Sequence, residues 1–112
     1  METELYVPNA TTNQVMTWLR SLFREQASYS DIPRNTCIIN FTSGLNVTVT
    51  EQMEDTDWTS IYMTSQNAIH DLEYPCLASE YFNRPVYVSD RSSDPNSFIE
   101  VYKNSRNQII KK

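Results

Sequence analysis

His70, Asp71 and Cys76 are the residues whose types and spacing come nearest to supporting catalysis. His70 is the only histidine, and it could act as a general base with Asp71 beside it. If Pro75 is the first residue of a helix, Cys76 lies in the first turn, where free amides and the helix dipole favour a thiolate. The alternatives are that Cys76 packs as a small apolar residue and that His70 is a plain polar residue of a loop or helix start.

The segment "EQMEDTD", residues 51–57, is a second candidate site. A calcium loop places oxygen ligands at alternate positions around a turn that glycine permits, and this segment contains no glycine. Four like charges within seven residues are costly to bury, so we expect exposed side chains. They predict either a solvated connection between strands or a docking surface for a basic protein, with neighbouring aromatic anchors. The candidate partner-binding residues are Glu51, Glu54, Asp55, Asp57, Trp58 and Tyr62.

The composition argues against several other kinds of site. Gly44 is the only glycine, whereas phosphate-cradling loops and dinucleotide folds need several in a fixed pattern. A zinc site needs three or four ligands at recognisable spacing, and this chain has one histidine and two distant cysteines. Glu100 and Lys103 are three positions apart, so they would face opposite sides of a strand rather than form a nuclease pair. We therefore predict no cofactor and no metal.

Charge is distributed unevenly along the chain. It has 14 acidic and 9 basic residues, for a net charge of −5, and six of the nine bases lie at or after Arg84. An acidic body disfavours nucleic acid as the primary ligand, because phosphate binding depends on Lys and Arg. The N-terminus lacks the basic and apolar segments of a signal peptide, and no apolar run is long enough to span a membrane. We expect a soluble, cytoplasmic protein whose cysteines are thiols.

The first half of the chain predicts one strand, a helix and three further strands. "TELYVP" alternates apolar and polar residues, and Thr11 with Gln14 forms a capping-box pattern before apolar residues at helical spacing. Residues 27–36 are predicted to be a connecting loop. "CIINFTSGLNVTVT" predicts a hairpin around Ser43 and Gly44, and "WTSIYMTS" predicts another strand, with Ile61 on one face and Trp58 and Tyr62 on the other.

The second half predicts a short helix and three strands. Pro75 suits the first position of a helix that ends at Phe82, and Asn83 can take the left-handed position after it. "PVYVSD" follows as a strand. For residues 97–112 a hairpin is favoured over a helix beginning at Asp94, because "FIEVY" and "QII" are rich in β-branched and aromatic residues.

These elements predict one α+β domain over residues 1–112, with two helices packed on a largely antiparallel sheet in the order β-α-β-β-β-α-β-β-β. The first functional hypothesis is a non-catalytic protein–protein interaction domain of the inhibitor or immunity type. One alternative is a small thiol enzyme or redox protein that uses Cys76. Another is a structural subunit of a homo-oligomer that pairs through the terminal "QIIKK" edge.

Overall fold

Eight strands and two helices are present in the computed structural model, which describes residues 1–33, 35–52, 56–90 and 94–110. The helices are α1, Thr12–Leu22, and α2, Tyr74–Phe82. A short 3₁₀ turn, Ala68–His70, precedes α2. The strands are β1 Glu2–Pro8, β2 Ala27–Ile32, β3 Thr36–Phe41, β4 Asn46–Thr50, β5 Trp58–Thr64, β6 Val86–Ser89, β7 Ser97–Tyr102 and β8 Ser105–Ile110.

All eight strands form one sheet in the order β2-β3-β4-β5-β1-β6-β7-β8. Every neighbouring pair in it is antiparallel. The predicted fold class is therefore confirmed: a single α+β domain with an antiparallel sheet and two helices.

The two helices cover one face of the sheet and enclose the core. Leu5 and Val7 of β1, Val47 and Val49 of β4, and Ile61 of β5 are fully buried on this face. Trp18 of α1 meets α2 above them, with its ring centroid 6.3 Å from that of Tyr74 and 5.8 Å from that of Phe82. The period-two pattern of the strands thus places one set of side chains under the helices and leaves the other set on the opposite face.

The start of α1 follows the predicted capping box. The Thr11 hydroxyl accepts a hydrogen bond from the Gln14 amide at 3.2 Å, and the Gln14 side chain accepts one from the Thr11 amide at 3.0 Å. Two of the otherwise unpaired amides at the helix N-terminus are satisfied in this way. Val15, Trp18 and Leu19 then face the core, as their spacing predicted.

The structure adds one strand to the predicted elements. The prediction of a loop at residues 27–36 is wrong for Ala27–Ile32, which pairs with β3 as edge strand β2. All of its residues after Ala27 are exposed, so no buried face imposed the alternation that identifies a strand in the sequence. The pairing with β3 forms the strand instead.

The turns predicted at Gly44 and Asn83 are confirmed. Gly44, with φ of 96°, lies in the turn between β3 and β4, and Asn83, with φ of 53°, ends α2 in the left-handed conformation. Residues 97–110 form the predicted hairpin of β7 and β8, with Lys103 at φ of 55° in its turn. Asn9 and Asn35 take two further positive-φ positions, since asparagine tolerates them best after glycine.

Replacing the α1 cap tests this account of the helix. We expect Thr11→Ala to lower the free energy of unfolding by about 1 kcal/mol, because the Gln14 amide loses its acceptor. Urea denaturation measures the change. Thr17→Ala is the matched control, since it removes an exposed threonine from the same helix at a position where alanine has the higher helix propensity. An equal loss in both variants would contradict the capping role.

Candidate functional site

The sheet face that carries no helix, called here the open face, collects the aromatic residues of four neighbouring strands. Because Leu5 and Val7 point into the core, Tyr6 between them lies on the open face. Its partners in the register are Ser60 of β5 and Tyr87 of β6. Trp58, Ser60 and Tyr62 of β5, Tyr87 of β6, and Phe98 and Glu100 of β7 share this face.

Four rings on the open face form an aromatic cluster, which consists of Tyr6, Trp58, Tyr87 and Phe98. Tyr87 stacks on Trp58 with centroids 4.5 Å apart and planes at 12°, while Phe98 meets Trp58 edge-on at 5.0 Å. Tyr6 lies 5.5 Å from Trp58 on another side. Trp58 is only 8% exposed, whereas the other three rings are half-buried. Trp58 is therefore the innermost ring of the cluster, and the tyrosine and phenylalanine rings form the outer surface of the cluster.

Carboxylates border this cluster and accept hydrogen bonds from its hydroxyl groups. Glu4 accepts from the Tyr6 hydroxyl at 2.9 Å and from Ser60 at 3.1 Å, and Glu100 accepts from the Tyr87 hydroxyl at 3.0 Å. Burial, together with the charges of Glu100 and Asp57, raises the pKa of Tyr87. The hydrogen bond that the Tyr87 hydroxyl donates keeps the Glu100 side chain in place.

Tyr62 lies beside Glu2 and Glu4 on the same face. Partial burial, followed by a hydrogen bond to Glu2 and the charges of Glu2 and Glu4, raises the pKa of Tyr62. Desolvation is the largest cause of this rise in pKa, and the nearby carboxylates of Glu2 and Glu4 add to it. Tyr62 is not part of the aromatic cluster, so it can be altered without disturbing the stack on Trp58.

Basic residues are absent from the strand positions of the open face. Arg106 is the only Lys or Arg within the eight strands, and its partner in the register is the buried Val101, so it lies on the helix side. There its guanidinium forms an ion pair with Glu73 at 3.1 Å. The strands therefore present carboxylates on the open face and no cation to neutralise them.

The predicted acidic segment is divided by the fold. Glu51 follows β4 and accepts hydrogen bonds from the Thr12 amide at 2.8 Å and the Thr12 hydroxyl at 2.7 Å, so it caps the start of α1. Asp57 is exposed beside Trp58 at the end of the open face, and its carbonyl accepts from the Asn9 amide at 2.7 Å. Glu54 and Asp55 lie outside the described residues. Within the described ranges, no three His, Cys, Asp or Glu side chains are grouped as a metal site requires.

His70 lies in a buried chain of hydrogen bonds that no sequence spacing indicated. Its side chain is 0% exposed, with Nδ1 2.6 Å from the Ser65 hydroxyl and Nε2 2.8 Å from the Ser43 hydroxyl. Ser43 in turn donates to Glu25 at 2.6 Å, and Ser65 accepts from the Asn67 amide at 3.0 Å. Ser43 and Glu25 come from distant parts of the chain, which is why the sequence did not reveal them.

The direction of this chain follows from counting protons. The single hydroxyl proton of Ser43 goes to the Glu25 carboxylate, which can only accept, so Ser43 accepts from Nε2–H of His70. An imidazole with a single ring proton on Nε2 accepts at Nδ1 from the Ser65 hydroxyl. Ser65, His70 and Ser43 each donate once toward Glu25, so both ring nitrogens of His70 are paired. The arrangement clamps the β3–β4 turn to the segments that precede β2 and α2.

The structure does not bring the three catalytic candidates together. Cys76 is half-buried in the first turn of α2, as predicted, and its sulfur lies 3.5 Å from Arg106 Nη2. Both ring nitrogens of His70 are engaged by serines, so the imidazole is not available to the thiol. Asp71 is exposed after the 3₁₀ turn. Cys37 is buried in the core, and both cysteines are free thiols.

No family model, no curated protein and no solved structure matches this chain. Neither α1 nor α2, the helices of the described chain, has the length and apolar character needed to cross a membrane. The function is therefore argued from the geometry of the open face and its surroundings.

Glu25 provides a pH test of the hydrogen bonds that link His70, Ser43 and Glu25. Hydrogen bonds from the Ser43 hydroxyl and amide lower the pKa of Glu25 below its ordinary value of 4.5. The ionised carboxylate therefore contributes stability above pH 4.5, and this contribution is lost as the pH falls through the lower pKa of the folded state. We expect Glu25→Gln to reduce the free energy of unfolding by about 1 kcal/mol at neutral pH.

Urea denaturation across pH measures the effect. The Glu25→Gln and wild-type curves should converge in acid, whereas Glu80→Gln, at an exposed position of α2, should follow the wild type throughout. A Glu25→Gln deficit that is independent of pH would show that the carboxylate charge is not what the clamp uses.

Proposed function

We propose that this protein is a non-catalytic interaction domain, of the inhibitor or immunity type, that docks a basic protein partner on the open face. The observation that carries the proposal is the aromatic cluster with Glu4, Glu100 and Asp57 around it and Glu2 beside the neighbouring Tyr62, on a face whose strand positions carry no Lys or Arg. Composition supported only a general acidic bias. The fold concentrates that bias around half-buried tyrosine rings.

Tyrosine rings held in fixed positions suit a binding surface. Aromatic residues supply much of the binding energy at protein interfaces, because a large ring is buried while its hydroxyl still finds a polar partner. Here Tyr6 and Tyr87 are held by Trp58 on one side and by Glu4 and Glu100 through their hydroxyl groups. Little side-chain entropy remains to be lost when a partner covers them.

The carboxylates retain capacity to bind a cationic partner. An ionised carboxylate has about four lone-pair sites, and Glu100 uses one of them for the Tyr87 hydroxyl. An arginine of the partner could therefore pair with Glu100 without breaking the internal bond. The negative field of the face would also speed encounter with a basic surface and reject acidic ones.

A partner of this kind is a protein that presents clustered Lys and Arg, as nucleic-acid enzymes do along the groove that holds the phosphate backbone. Occupation of that groove by the open face would exclude the nucleic acid. This blocking action is the inhibitor function that we propose.

Assembly of identical chains is a second candidate. Strand β8 is at the edge of the sheet, and Ile110 on it is 61% exposed, so the edge offers both unpaired backbone and apolar surface. Lys111 and Lys112, which complete the predicted "QIIKK" edge, lie outside the described residues. Sedimentation velocity decides this candidate, because a monomer at working concentration removes it.

Charge reversal on the open face tests the proposed docking surface. Proteins captured from a lysate of the source cells on the immobilised wild-type chain are identified, and the strongest is purified for calorimetry. We expect Glu2→Lys combined with Glu100→Lys to weaken its binding about 100-fold, since each reversal replaces an attraction by a repulsion. Asp71→Lys with Glu80→Lys makes the same change in net charge away from this face and should bind as the wild type does. Equal loss in both pairs would reduce the effect to net charge and contradict a defined surface.

Tyr62 tests the aromatic part of the same surface. We expect Tyr62→Ala to weaken binding of the purified partner about tenfold, because a ring of the interface is lost while the stack on Trp58 stays intact. Near-ultraviolet circular dichroism of the free variant checks that the cluster is unchanged. Tyr29→Ala, which removes an exposed tyrosine on the helix side, serves as the control. An affinity that is unchanged by Tyr62→Ala would place the interface elsewhere.

A further inference from the structure

The outer side of edge strand β2 carries a regular set of backbone groups that point away from the sheet. The Thr42 amide donates to the Gln26 carbonyl at 3.2 Å, and the Phe41 amide donates to the Leu45 carbonyl at 2.9 Å. In an antiparallel pair, hydrogen-bonded and non-hydrogen-bonded positions alternate along the strand. Counting from the bond at Gln26, the N–H and C=O groups of Ser28, Ser30 and Ile32 point toward β3. The N–H and C=O groups that point outward are those of Ala27, Tyr29 and Asp31.

The same three residues place their side chains on the helix side. In the register Tyr29 lies opposite Ile39 and Asp31 lies opposite Cys37, and both partners are buried in the core. A strand added along β2 would therefore pair with residues whose side chains border α1. Its own side chains at the hydrogen-bonded positions would point to the same side.

A groove between α1 and β2 is available to those side chains. It consists of two hollows separated by Tyr29, which lines both, and the Arg20 guanidinium lies over the Tyr29 ring at 5.5 Å. The hollow near the start of α1 has a volume of about 580 Å³ and is bordered by Met16, Asp31 and Glu51. The hollow near the end of α1 has a volume of about 500 Å³.

The two ends of the groove carry opposite charge. Asp31 borders the first hollow together with Glu51, whose carboxylate is engaged by Thr12, whereas Arg20 and Arg24 border the second. Glu25 also borders the second hollow, but its carboxylate is engaged by Ser43. The groove beside β2 therefore has an acidic end at Asp31, an aromatic centre at Tyr29 and, next to Ala27, a basic end that Arg20 and Arg24 supply.

We propose that β2 binds an extended peptide segment of a partner protein as an additional antiparallel strand. From its N-terminus to its C-terminus the segment has a basic residue opposite Asp31, an apolar residue opposite Tyr29 and an acidic residue opposite Ala27, each separated by one residue. All seven strand pairings of this sheet are antiparallel, and antiparallel pairing is the more stable kind. This surface lies at the sheet edge on the helix side, so the inference does not rest on the proposed docking at the open face.

A labelled peptide of nine residues tests the proposal. It carries lysine at the third position, leucine at the fifth and glutamate at the seventh, with serine and threonine elsewhere, and its binding to the full chain is followed by fluorescence anisotropy. We expect Asp31→Lys and Arg24→Glu each to weaken binding at least tenfold. The double variant should instead prefer the peptide in which lysine and glutamate are exchanged, which shows that the charges act by position.

N-methylation of the peptide tests the backbone pairing separately. A methyl group on the leucine amide, which faces β2, should abolish binding, whereas one on the sixth residue faces solvent and should leave binding unchanged. The Glu2→Lys/Glu100→Lys variant should bind the peptide as the wild type does, so failure of the open-face proposal and failure of this one are distinguishable.

Three results would overturn the proposal. The first is no binding at a peptide concentration of about 1 mM. The second is an equal effect of the two methylations. The third is a wild-type dimer that Asp31→Lys dissociates, because β2 would then be occupied by a second copy of this chain.

Discussion

Strand β1 joins the two halves of the sheet, β2-β3-β4-β5 and β6-β7-β8, and its pairing with β6 is a narrow seam between them. On one side β1 pairs with β5 at seven positions, from Glu2 to Pro8. On the other side the register with β6 contains a single pair, Tyr6 with Tyr87. Packing on both faces therefore has to hold this seam. Leu5, Val86 and Val101 do so within the core, and the aromatic cluster does so on the open face.

This seam explains why Trp58 is buried on the face that lacks helices. Period-two alternation in β5 correctly separated it from Ile61, but its exposure depends on Tyr87 and Phe98, which come from strands much later in the chain. A tryptophan next to four carboxylates suggested an exposed anchor. In the structure Trp58 is instead buried beneath the half-buried rings of Tyr6 and Tyr87, so its loss would disturb the fold as well as any docking surface.

Local patterns determined most of the fold, and long-range pairing determined what was missed. The capping box of α1, the turn at Gly44 and the left-handed Asn83 each depend on residues within a few positions, and each is confirmed. Strand β2 was missed because its exposed face leaves no apolar alternation. The partners of His70 were missed because Ser43 and Glu25 are far from it in sequence. No spacing rule connects such residues.

The environment of Glu51 differs from the predicted one because the carboxylate binds Thr12. Repulsion among the acids of residues 51–57 predicted exposure, yet Glu51 is half-buried because the start of α1 offers it an amide and a hydroxyl of Thr12. A carboxylate at a helix N-terminus also interacts favourably with the helix dipole.

The bond from Glu51 to Thr12 ties the end of β4 to the start of α1 and so limits how far the helix can move. At the other end of α1, Phe23 packs against the ring of His70, which is itself held by hydrogen bonds with Ser43 and Ser65. These contacts restrain both ends of α1 over the middle of the sheet. They oppose a movement of α1 onto β2 and so help to keep the groove beside β2 open.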